Sequence, residues 1–159
     1  MAYIDSQLEL SDAQAITTTA ISTNVIDLAT LRKGGSAAAG DISANVQQDW
    51  GNGLYDNWAV VSVNTALTGG TSLAVTLETA DNAALSVGQT VLATSGTVVA
   101  ASLTKGTSLI LIRLPSALYK RYLGFRYTVV GTFGAGSVDA YIASDPQSNR
   151  IYKSGFAVQ

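Results

Sequence analysis

Between Tyr119 and Thr132 the chain reads YKRYLGFRYTVVGT, and its side chains sort with a period of two. Tyr119, Leu123, Phe125, Tyr127 and Val129 share one parity with Arg121, while Lys120, Tyr122, Arg126 and Thr128 share the other. This alternation predicts a β-strand. The composition agrees, because aromatic and β-branched side chains fit a pleated, half-buried surface, and the glycines from Gly131 to Gly136 supply a stop. We expect a central strand whose apolar face anchors the core and whose charged face meets water or a partner.

The rest of the chain repeats that pattern in shorter pieces. Residues 3–10, YIDSQLEL, read as an extended arm or edge strand in which Asp5 and Glu9 discourage edge aggregation. Residues 13–28 read as two strands broken near Ser22 to Asn24. AVVSVNTAL at Ala59 to Leu67 and SLAVTLETA at Ser72 to Ala80, joined by TGGT, read as a hairpin. Shorter strands are expected at Gln89 to Thr94 and Thr97 to Leu103 around Ser95-Gly96. SLILIRL, Ser108 to Leu114, is apolar on both parities, which predicts cover on both faces, and Pro115 ends it. SVDAYIA, Ser137 to Ala143, completes the series. Eight to ten short antiparallel strands with turn signals between them and no helix predict an all-β fold, a single-domain jelly-roll β-sandwich.

At 159 residues the chain is long enough to bury roughly 70% of its unfolded surface in one domain. Three segments depart from the strand pattern: an N-terminal arm (1–10), a long loop (29–57) and a C-terminal tail (145–159). The loop is Gly- and Ala-rich at first and then aromatic, DWGNGLYDNW, and connections of that length are commonly functional. Its Trp50, Tyr55 and Trp58 are candidate partner anchors, since Trp and Tyr are favoured in interface cores. Arg150, Tyr152 and Phe156 in the tail join them, as do Arg121 and Arg126 of the organising strand.

Chemistry is harder to place than contact. The chain holds no cysteine and no histidine, which removes disulfides, thiolate chemistry and the commonest general base and metal ligand. Only two glutamates occur, Glu9 and Glu78, and the carboxylates are scattered. Asp49, Asn52, Asp56 and Asn57 lack the EF-hand spacing, and turn chemistry explains them equally well. No Gly-rich run matches a phosphate-binding loop. We therefore expect no enzyme, no catalytic residue, no metal and no cofactor.

Charge is uneven along the chain. Residues 1–100 carry nine acidic and two basic side chains, whereas 101–159 carry two acidic and seven basic. The favoured reading is that the halves interleave in one sandwich and pair their charges across strands; the sharper one is a basic face that docks an acidic partner or a neighbouring copy. A net charge of −2 with no dense basic patch speaks against nucleic acid, and no apolar run is long enough for a membrane-spanning helix.

Five blocks carry a resemblance: YIDSQLELSDAQAI at 3–16, STNVIDL at 22–28, IRLP at 112–115, RYLGFRYTVVGT at 121–132 and NRIYKSGF at 149–156. In this order they resemble the capsid cement, or decoration, proteins of tailed bacteriophages of the Bordetella-podovirus type. The resemblance implies a jelly roll on the outer surface of the virion capsid, assembled in the host bacterial cytoplasm. There it would bridge and stabilise subunits of an HK97-like major capsid protein, and it would exist as a homo-oligomer. Residues 31–57 look longer and more Gly/Ala-rich than that pattern, so no single capsid contact is transferred. The alternatives are another phage structural jelly roll, in the head or tail-associated, and a carbohydrate-binding module using Trp50, Tyr55 and Trp58.

Overall fold

The organising segment forms an interior strand of a two-sheet sandwich. A computed structural model describes residues 5–28, 56–144 and 146. Nine strands occur among them: β1 (Glu9–Ala15), β2 (Ala20–Ile21), β3 (Ile26–Asp27), β4 (Trp58–Thr68), β5 (Ser72–Ala80), β6 (Thr90–Val99), β7 (Ser108–Arg113), β8 (Tyr122–Val130) and β9 (Ala135–Ala143). One 3-10 turn, Ala100–Ser102, follows β6.

The first sheet runs β1-β9-β4-β7 and the second β2-β8-β5-β6, with β3 also on β8. Every pairing is antiparallel, and four of them nest within one another: β1 with β9, β2 with β8, β4 with β7, β5 with β6. A long hairpin with these nested pairs, rolled up on itself, brings β9 against β4 and β8 against β5, as observed. This is the jelly-roll topology.

The core lies between the sheets. Leu73, Val75 and Leu77 of β5 and Leu123, Phe125 and Tyr127 of β8 are fully buried from one side, and Ala59, Val61, Val138 and Ala140 close it from the other. Each large side chain among them contributes roughly 1.5–3 kcal/mol of transfer free energy. Tyr119, just before β8, is also fully buried, and its hydroxyl donates to the Pro115 carbonyl at 2.6 Å.

Three local expectations are corrected. β4 and β5 do not form a hairpin, because each lies in a different sheet. The segment between them turns a corner: Gly69 adopts φ +92°, and the ring of Phe133 packs where a side chain on Gly70 would stand. Turn residues alone do not distinguish a hairpin from a corner. Ser95-Gly96 does not divide two strands either; β6 is continuous, and Gly96 at φ +69° marks a bulge in its pairing with β5. Finally, β7 is an edge strand whose Ile110 faces the core while Leu111 is 48% exposed, so among the described residues no loop or arm covers its outward face, and of the covers expected only a subunit is left. A bulge between Val61 and Ser62 lets Leu109 turn inward as well.

Candidate interaction surface

Among the described residues, part of the charge asymmetry resolves into ion pairs between the two halves of the chain. Arg113 meets Asp56 at 2.6 Å, Lys120 meets Asp81 at 2.9 Å, Arg121 meets Asp27 at 2.9 Å and Arg126 meets Glu78 at 2.9 Å. Each joins a basic residue of the second part of the chain to an acid of the first. The interleaving of halves is the arrangement the fold adopts.

Arg121 and Arg126 are thus engaged within the chain. Arg121 grips Asp27 through Nε and Nη2 and lies 5.0 Å from the Tyr122 ring centroid. Its hydrogen bond to Asp27, followed by the attraction of that charge, raises the guanidinium pKa above its usual value. Arg126 donates to both oxygens of Glu78 and to the Leu85 carbonyl. The charged side of β8 is therefore covered over part of its length by residues 81–88. There Asn82 accepts from the amides of Ser86 and Val87, and Leu85 is fully buried although its φ is +49°. Gly124 makes this cover possible, since a side chain there would stand 3.0 Å from both Leu85 and Val25. The signal in the sequence was the lone leucine in an otherwise small and polar turn, DNAALSVG.

Trp58 has different surroundings. It opens β4 on the face opposite the buried Ala59, in register with Arg113 of β7 and Ala143 of β9. Two residues on, Val60 is in register with Leu111 on one side and Tyr141 on the other. Partners directly opposite in a sheet share a face, so Trp58, Leu111 and Tyr141 form an apolar and aromatic patch on the outside of the first sheet around Val60, which is itself only 7% exposed. Burial, and then the nearby charge of Asp139, raise the Tyr141 pKa above its usual value. Asp139 is itself held by the amide of Ala13 at 2.8 Å and the side chain of Asn64 at 3.2 Å. Arg113 and Asp56 border the patch with a half-exposed ion pair.

Val60, Leu111 and Tyr141 were not singled out in the sequence because they come from three strands and meet only through register. Trp50, Tyr55, Arg150, Tyr152 and Phe156 lie outside the described residues. Among the described residues no group of three or more acidic side chains is placed to hold a metal ion. Asp56 and Asn57 are occupied otherwise, Asp56 by Arg113 and Asn57 by the Leu114 amide and the Ser144 hydroxyl.

No curated protein matches the chain. The sequence model of a protein family described as Bbp16 matches residues 10–142, from the first buried leucine of β1 to the last isoleucine of β9. That match spans nearly the whole sandwich, and the chain belongs to the Bbp16 family.

Proposed function

We propose that this protein is a structural component of a phage head that binds the outside of the icosahedral capsid and bridges and stabilises its major capsid subunits. The observation that carries this reading is the Bbp16 match over residues 10–142. The sequence blocks that resemble capsid cement proteins agree with it. In this reading the protein has no catalytic role and takes no cofactor; it adds buried area at seams between subunits. Many copies around one shell multiply a modest individual affinity. We assign capsid contact to the outward patch of Trp58, Val60, Leu111 and Tyr141, and self-association belongs to the same proposal.

An add-back assay tests it. Purified protein is mixed with shells that lack it, the particles are pelleted, and bound copies and heat resistance are read together. Saturable binding at one copy per capsid subunit, or a simple fraction of it, with raised heat resistance is the expected result. Shells that pellet without the protein at micromolar concentration would sink the reading.

A further inference from the structure

β6 is the outermost strand of the second sheet, and among the described residues it pairs with β5 alone. Its outer edge presents main-chain N–H and C=O groups that no strand among the described residues pairs with. Soluble proteins ordinarily blunt such edges with charge or proline. The edge strands of the other sheet follow that rule, since β1 carries Glu9 and Asp12 and β7 carries Arg113. β6 reads TVLATSGTVV, ten residues without a charge or a proline.

Register then places its exposed side chains. Val91 lies opposite Glu78 and Val99 opposite Ser72, both on the outward parity of β5, because Leu73, Val75 and Leu77 between them point inward. Val91 is 52% exposed and Val99 57%. The outward residues between them, Thr94 and Thr97 with Thr76 and Ala74 behind, are uncharged. In a two-fold interface each residue meets itself or one fixed mate. A second copy of β1 in that position would oppose acid to acid, whereas a second copy of β6 opposes nothing.

We infer that β6 pairs antiparallel with β6 of a second copy across a two-fold axis, in the register that sets Val91 of each against Val99 of the other. Two valine pairs then cover the exposed ends, and the two sheets continue into one. The inference deepens the self-association included in the proposed function by naming its surface, and rests on that part of the reading alone.

Cysteine crosslinking tests it cleanly, because the chain has no cysteine of its own. Residues directly opposite in an antiparallel pair have Cα atoms about 4.5–5.5 Å apart, within disulfide reach. Mild oxidation of Val91→Cys/Val99→Cys is expected to convert most chains to a reducible dimer, with either single variant below about a tenth of that yield. Val91→Lys/Val99→Lys places like charges opposite one another and is expected to sediment as a monomer with unchanged circular dichroism. A native dimer that neither crosslinks in the double-cysteine variant nor dissociates in the double-lysine variant overturns the β6 interface while leaving self-association standing. A native chain that sediments only as a monomer at micromolar concentration removes both. A double-lysine variant that stays dimeric but no longer binds shells also overturns the inference, because the edge then belongs to a capsid strand.

Discussion

Nε of Arg126 lies 2.9 Å from Oε2 of Glu78, on the outward face of a sheet, yet the Glu78 side chain is only 3% exposed. Gly124, the next β8 residue on that face, stands opposite Glu78 and gives Leu85 room to lie over it. An ion pair that looks like a surface feature from strand parity is thus a buried one.

Removing one partner of that pair strands the other. Arg126→Ala is expected to cost roughly 3 kcal/mol, toward the lower end for a broken buried pair because the arginine side chain is 25% exposed. Replacing both residues, as Glu78→Leu/Arg126→Met, should recover most of that loss. Urea unfolding of the native, single and double variants measures it; equal losses in single and double variants would contradict the account.

Tyr127 provides an alkaline limit to stability. Its hydroxyl lies 2.8 Å from Ser11 Oγ in the sandwich interior, and burial, opposed by that hydrogen bond, raises its pKa well above the usual tyrosine value. The folded pKa exceeds the unfolded value near 10, so the stability it contributes is complete below about pH 10 and is lost as pH rises toward the folded value. Tyr127→Phe should cost about 1 kcal/mol at neutral pH through the lost hydrogen bond. It should also flatten the fall in urea midpoint between about pH 10 and 12. An unchanged alkaline slope would assign that fall to other groups.

Two glycines with positive φ should respond unequally to alanine. Gly96 has open space around it, so Gly96→Ala is expected to cost only the backbone strain, about 1 kcal/mol. Gly136, at φ +131°, would put its new Cβ 2.6 Å from the Cα of Leu67, and backbone cannot step aside as a side chain can. Gly136→Ala should cost at least roughly 3 kcal/mol, strain and overpacking together. Comparable melting temperatures for the two variants would show that the β4–β9 approach is looser than the structure has it.

Capsid attachment, if it uses the Trp58 patch, should be insensitive to salt. The patch is apolar and aromatic, with only the Arg113–Asp56 pair at its border, so salt has little there to screen. Trp58→Ala is expected to weaken shell binding by about 30-fold, the loss typical of an aromatic anchor, while Arg121→Ala changes it by less than about threefold. Pelleting at about 0.05 and 0.5 M salt checks both points. Binding that collapses at the higher salt would move the contact to charged residues.

The all-β class and the strand nature of the Tyr119 to Thr132 segment were legible in the sequence, because a period of two is set locally by the pleat and survives any choice of partner. The jelly roll was expected from strand count and from the resemblance, and the pairings that define it came from the structure. The absence of histidine and cysteine was equally plain, since composition needs no fold. Strand partners were not legible. TGGT between β4 and β5 has the turn residues of a hairpin, and only the packing of Phe133 on Gly70 and the competing partners β9 and β8 make it a corner. The patch of Trp58, Val60, Leu111 and Tyr141 depends on register between three strands far apart in the chain. Burial of Glu78 depends on a loop that folds back over Gly124. Long-range pairing is decided by how whole faces fit together, and that information lies in no single stretch of residues.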